Sequence, residues 1–245
     1  MPGIGNINLK VLLLDTDIYA LQAINSYLAW DRRTRVTFMA ETERAMWRFL
    51  NETPVAEMPD VVVLDADHLG GAGRLRQTID QLNQKIPHVK IICLAQSVYP
   101  DLVEASAEHG ASAYLLKQET RLMIAWAIVY TLDKDFVVTQ HVAEECADLF
   151  NHRVSRAAIL PGKRDYPELT DRIQQAIRLC VIEGMPAHLA ADEMGISLHT
   201  IRGYIKEGYR ILESYDEYEY PVDMTPQERA FMRFTALADE PYDVE

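Results

Sequence analysis

The sequence predicts an α/β domain with a five-stranded, parallel, doubly wound sheet, followed by an all-α domain. Three observations carry that prediction. Short apolar runs alternate with stretches of helical spacing from residue 10 to about residue 132, as a parallel sheet with helices on both faces requires. One of those runs, Val61-Val62-Val63-Leu64, is continuous, β-branched and uncharged, as a strand buried on both faces must be. From Leu169 the pattern is helical.

Each element follows from local pattern. Val11 to Leu14 is the first strand and stops at Asp15; Ile18 to Trp30 follows with helical spacing. Val36 to Met39 is a shorter strand, and Glu41 to Asn51 is a helix with Ala45, Trp47 and Leu50 as its apolar points. The third strand, Val61 to Leu64, stops at Asp65. Leu75 to Ile86 is helical, and Lys90 to Leu94 is the fourth strand. Pro100 to His109 is a helix with proline at its start and Gly110 just past its end. Ala113 to Leu116 is the fifth strand, stopping at Lys117, and Glu119 to Leu132 is the last helix of the domain. Thr139 caps a further helix over about Gln140 to His152, with Val142, Cys146 and Leu149 on one face. Pro161-Gly162-Lys163-Arg164 reads as exposed linker. Thr225-Pro226-Gln227-Glu228 combines a capping threonine, a proline at the first position and a glutamate three residues on, so a helix runs from Thr225 to about Leu237. The expected division is an α/β domain over 8–133, a linker with a helix over 134–165, a helical domain over 166–216 and an acidic tail over 217–245.

The net charge is -13, with 49% hydrophobic residues. Such a chain buries a real core, and its acidity argues against indiscriminate binding of polyanions. Cys93, Cys146 and Cys180 are far apart and read as structural thiols in a reducing compartment. Met1 to Lys10 carries no basic start before an apolar run, and no stretch reaches membrane-spanning length, so no signal peptide and no membrane partner are expected. No P-loop, dinucleotide fingerprint or metalloprotease spacing is present, and no enzyme is expected.

Sheets of this kind bind ligands outside the carboxyl ends of their strands. Three strands stop there at charged residues: Asp15, Asp65 and Lys117. One such aspartate is ordinarily solvated or caps a helix. Three charges from three strands make a candidate pocket. His68, just beyond, reads as a solvent-facing loop residue.

These residues resemble the receiver domains of response regulators. Lys10-Val-Leu-Leu-Leu-Asp15-Thr-Asp17 resembles their first strand. Pro59-Asp-Val-Val-Val-Leu-Asp65, with Gly70 and Gly73, resembles the phosphoacceptor strand and its loop, and His109-Gly-Ala-Ser-Ala-Tyr114-Leu-Leu-Lys117 resembles the last strand. The likeness covers about 120 residues in order. It implies Asp65 as phosphoacceptor, Asp15 and Asp65 as ligands of a Mg2+ cofactor, Lys117 as phosphate contact and Tyr114 as a rotating aromatic. Three positions depart from the pattern. Thr16 stands where a second acid is usual, with Asp17 one residue on. Ala95 replaces the switch hydroxyl, with Ser97 two residues later. Leu69 replaces the loop proline. Magnesium favours hard oxygen ligands, so the loss of an acid weakens its site. The pocket therefore reads as that of an atypical regulator working with weak or no phosphorylation.

Gly184-Met-Pro-Ala-His-Leu-Ala-Ala-Asp-Glu-Met-Gly195-Ile-Ser-Leu-His-Thr-Ile-Arg202 resembles the helix-turn-helix of the NarL/LuxR class. Gly195 permits the tight turn and Ser197 caps the second helix, expected over about Leu198 to Leu212. His199, Arg202, Lys206 and Arg210 recur at three- and four-residue spacing on one face, with Ile201, Ile205, Tyr209 and Leu212 opposite. The resemblance places Thr200, Arg202, Gly203 and Lys206 near bases or phosphates of double-stranded DNA.

The sequence thus points to a cytoplasmic, homodimeric, DNA-binding transcription regulator. A sensor kinase or another regulatory protein is a candidate partner. Two alternatives are a protein-interaction module whose helix-turn-helix does not bind DNA, and a conventional regulator activated by phosphorylation at Asp65.

Overall fold

The computed structural model describes residues 7–215 and 218–239. Asp216 at the end of the expected helical domain, Glu217 and residues 240–245 of the expected acidic tail lie outside the described residues, as do residues 1–6 of the N-terminal stretch. The described residues divide into two compact units, 7–162 and 163–239.

The first unit is a parallel sheet with helices between its strands. Its elements are β1 (Leu9–Leu14), α1 (Ile18–Ala29), β2 (Thr34–Ala40), α2 (Glu43–Glu52), β3 (Val61–Asp65), α3 (Ala72–Lys85), β4 (Lys90–Ala95), α4 (Pro100–Glu108) and β5 (Ala113–Leu116). Then come α5 (Lys117–Thr120), α6 (Ile124–Tyr130), β6 (Val137–Val138), α7 (Gln140–Glu145), α8 (His152–Ser155) and β7 (Ala158–Ile159). The strand order is β2-β1-β3-β4-β5-β6-β7, and every pairing is parallel. β3 is buried along its whole length, as its unbroken apolar run requires.

Four expectations are corrected here. The sheet has seven strands rather than five, because β6 and β7 extend it past β5. The segment read as a linker over 134–165 supplies both strands. Its helix ends at Glu145, and a second short helix follows at His152, capped by the Asn151 side chain. Phe136, Val138, Val142, Cys146 and Val154 pack into the same core as β3 and β4. Strands of two residues carry almost no alternation, which is why the pattern conceals them. The helix expected over Glu119 to Leu132 is also broken: Arg121 takes φ 38°, α5 stops before it, and α6 restarts at Ile124.

The second unit contains α9 (Asp171–Ile177), a π-helical turn (Arg178–Ile182), α10 (Ala187–Met194), α11 (Leu198–Ser214) and α12 (Pro226–Phe234). Ala176, Leu179, Ala190, Ala191, Met194 and Ile201 form one core cluster. The expected capping box at α12 is present: the Thr225 side chain accepts from Glu228 N–H, and the Glu228 carboxylate accepts from Thr225 N–H. Among the described residues no helix is long and apolar enough to cross a membrane.

Candidate functional site

The pocket is assembled by strand register. β1 and β3 pair in parallel from Val11↔Val61 to Leu14↔Leu64, so the next residues, Asp15 and Asp65, emerge side by side at the carboxyl edge. Lys117 leaves β5 two strands away, and its long side chain spans the gap. Its Nζ donates to Asp15 Oδ2 at 2.7 Å and to Asp65 Oδ1 at 3.0 Å. The remaining oxygens are also engaged. Asp15 Oδ1 accepts from the Asp17 backbone N–H at 2.9 Å, and Asp65 Oδ2 lies 2.7 Å from His68 Nδ1. Both aspartates are buried.

The electrostatics follow from burial and pairing. Burial pushes the Asp15 carboxyl above its usual range, against the lowering effect of its bonds to Lys117 and Asp17. Burial acts to lower the Lys117 value, but the two carboxylates outweigh it and raise the value overall. The ammonium therefore remains charged and offsets one of the two carboxylate charges.

The other pocket positions take definite roles. Thr16 is exposed. Asp17 does not face Asp65; it caps α1, accepting from Tyr19 and Ala20 N–H. Ala95 is buried at the end of β4 and brings no hydroxyl. Tyr114 is fully buried, and its hydroxyl donates to the Ser97 carbonyl at 3.3 Å. Burial, with the charge of Asp67, pushes that phenol well above the ordinary tyrosine range. Thr139 accepts from Leu116 N–H at 3.2 Å and so braces the residue before Lys117.

These residues do not fit the magnesium ion that the resemblance implies. Each of the four carboxylate oxygens of Asp15 and Asp65 already has a protein donor, and a cation bridges the pair. Asp17, two residues past Asp15, is turned into the cap of α1, and Asp67, two residues past Asp65, accepts from the Gln96 N–H. Among the described residues no three His, Cys, Asp or Glu side chains are grouped to hold a metal.

The second candidate site is the face of α11. Gly195 ends α10 in the left-handed conformation, φ 65° and ψ 36°, and Ser197 starts α11 by accepting from Thr200 N–H at 3.0 Å. His199, Arg202, Gly203, Lys206 and Arg210 are exposed, and Thr200 is half-buried beside the cap. Ile201, Gly208, Ile211 and Leu212 are buried, whereas Ile205 and Tyr209 are only partly so. Arg210 is held by Glu207, with Nε to Oε2 at 3.0 Å and Nη2 to Oε1 at 2.6 Å. Among the described residues, the arginine and lysine of this face with no such clamp are Arg202 and Lys206.

Three residues escaped the sequence reading. His68 is solvent-facing, but it also touches the pocket, and an Asp followed by His three residues later is its only signal. Thr139, read as a helix cap, reaches β5 instead. Gly208 lies inside α11, where a Cβ would fall 2.6 Å from side-chain carbons of Ile177; its lack of a side chain lets α11 approach α9.

No family model matches the chain. Over 173 residues it is 25% identical to the nitrate/nitrite response regulator protein NarL of Escherichia coli K12, covering 71% of this chain and 76% of that protein. Over 210 residues it is 23% identical to the response regulator protein VraR of Staphylococcus saprophyticus, covering 85% and 92%. Among solved structures, the Salmonella typhimurium RcsB response regulator aligns at 19% identity with a TM-score of 0.48, over 88% of this chain and 95% of that one. The chain is thus similar in sequence to response regulators, NarL and VraR among them.

Proposed function

We propose that this protein is a cytoplasmic, homodimeric transcription regulator that binds double-stranded DNA through α11 and does not depend on phosphorylation of Asp65. The single observation that carries the reading is the left-handed turn at Gly195 between α10 and α11, after which Ser197 caps a 17-residue helix. That helix buries one face and leaves Arg202 and Lys206 exposed on the other. A helix of this kind suits the width of the major groove, with cations available for phosphates and guanine edges. A homodimer would present two such helices one turn of DNA apart.

The second half of the reading rests on the pocket. A carboxylate whose two oxygens are bonded to Lys117 and His68 is a weak nucleophile, and the residues around it do not suit magnesium. In this reading the protein turns over no substrate. The domain conveys its signal through contacts with another protein, for which a sensor kinase is one candidate.

Fluorescence anisotropy tests the DNA half. The full chain is titrated against duplexes enriched from a random-sequence library. Wild-type binding weakens as salt rises, and each phosphate contact removed lowers the salt slope by about 1. The Arg202→Ala, Lys206→Ala double variant is expected to lose sequence-specific binding. Unchanged binding by that variant would overturn the reading through α11, and a wild-type chain with no salt-sensitive DNA binding would leave the interaction-module alternative. Light scattering after gel filtration is expected to give the mass of two 27.9 kDa chains.

A further inference from the structure

We propose that Nε2 of His68 is a phosphoryl-accepting nucleophile, held ready by the buried carboxylate of Asp65. The inference rests on the reading that Asp65 is not itself the efficient acceptor. His68 Nδ1 lies 2.7 Å from Asp65 Oδ2, while Oδ1 of the same carboxylate accepts from the Lys117 ammonium at 3.0 Å. A carboxylate paired with a cation only accepts, so Nδ1 carries the hydrogen facing Asp65, and the tautomer this selects has its lone pair on Nε2. The two side chains differ in access: Asp65 is 2% exposed and His68 is 55% exposed. An electrophile arriving from solvent meets the imidazole first.

The mounting of the ring is firm. His68 closes a 3-10 turn, Ala66–His68, directly after β3. Ala66 is buried, and the Asp67 carboxylate accepts from the Gln96 N–H at the end of β4. A buried carboxylate bonded to Nδ1 fixes the tautomer, aims the ring and stabilises the cation that forms when Nε2 attacks. His109 lacks this arrangement, because its partner Asp80 is 47% exposed while the ring itself is only 29% exposed. Among the described residues, His68 alone pairs with a buried carboxylate.

The donor class is a small acyl phosphate or a phosphoramidate. With an acyl phosphate, the Nε2 lone pair forms the bond to phosphorus. The P–O bond to the acyl group breaks, and the acyl group leaves as a carboxylate with the bonding electrons; with a phosphoramidate the P–N bond breaks and the already protonated nitrogen leaves as ammonia with them. Nδ1 keeps its proton, so the phosphorylated ring is cationic and stays paired with Asp65. No metal and no redox partner enters the step.

The test uses the full chain with acetyl phosphate or phosphoramidate, without added metal. The adduct is located by mass spectrometry and classified by stability: a phosphohistidine survives base and is lost in acid, whereas an acyl phosphate on Asp65 is lost in base as well as to hydroxylamine. The adduct is expected on His68, forming at least about tenfold faster than on the exposed His88, His141, His152, His188 and His199. His68→Gln, which alters an exposed side chain, is expected to abolish it, and Asp65→Asn to slow it by about tenfold or more. An even spread over the exposed histidines, or an undiminished adduct in His68→Gln, overturns the proposal. The absence of any adduct overturns it and leaves the reading of Asp65 intact. A hydroxylamine-sensitive adduct on Asp65 overturns both.

Discussion

Lys117 holds together two buried carboxylates that would otherwise repel across the β1–β3 register. Breaking such an arrangement from one side leaves uncompensated buried charge, so Lys117→Ala is expected to cost about 3–5 kcal/mol in denaturant unfolding. Adding Asp15→Asn to that variant relieves the like-charge contact, and the double variant is expected to be more stable than Lys117→Ala alone. The sign of the pH dependence follows from the lysine. Its value in the folded protein is raised above the usual 10.5, so its contribution is complete below 10.5 and is lost as pH rises through the higher folded value. The cost of Lys117→Ala should therefore be constant through the neutral range and shrink only in strong base. At Cys93, burial pushes the thiol up to about 12, so alkylation by iodoacetamide at neutral pH should spare it in the native chain and modify it after unfolding. Asp15, Asp65 and Lys117 were legible in the sequence because each ends an apolar run. The role of His68 was not, because it depends on a 3-10 turn that no periodicity announces.

At the scale of elements, strands β1 to β5 and helices α1 to α4 were readable because each buries enough residues to leave a pattern. β6 and β7 were not, since two residues suffice for a strand once a sheet edge is there to pair with. Their consequence is testable by truncation. A chain ending at Asp133 loses Phe136, Val138, Val142 and Cys146 from the core and bares the edge of β5. It should unfold without cooperativity, whereas a chain ending at Gly162 should show a single sharp transition. In the helical unit, the turn at Gly195 and the cap at Ser197 were legible from residue type. Gly208 was not, because its reason is the close approach of Ile177 on another helix. Gly208→Ala forces one of those side chains to shift and should destabilise this unit by about 1–3 kcal/mol, measured by thermal unfolding.

For the whole molecule, the sequence gives the order of an α/β unit and then a helical unit, and the structure moves the end of the first from residue 133 to residue 162. The reason is physical: a segment that looks polar and irregular still contributes Phe136, Val138 and Val154 to a common core. The net charge of -13 sets the electrostatic terms for nucleic-acid binding. Under the proposed function, long-range attraction is weak, so affinity would come from the few exposed cations of α11 and from short-range complementarity. Clamping of Arg210 by Glu207 reduces those cations further and puts most of the weight on Arg202 and Lys206.

The central claim is that the chain binds specific DNA without a phosphoryl group on Asp65. The most direct measurement is anisotropy of the purified, untreated protein on its enriched duplex, with no phosphodonor and no magnesium. The account predicts saturable, sequence-specific binding that the Arg202→Ala, Lys206→Ala variant lacks. Binding that appears only after a donor has placed a hydroxylamine-sensitive phosphoryl group on Asp65 would contradict it.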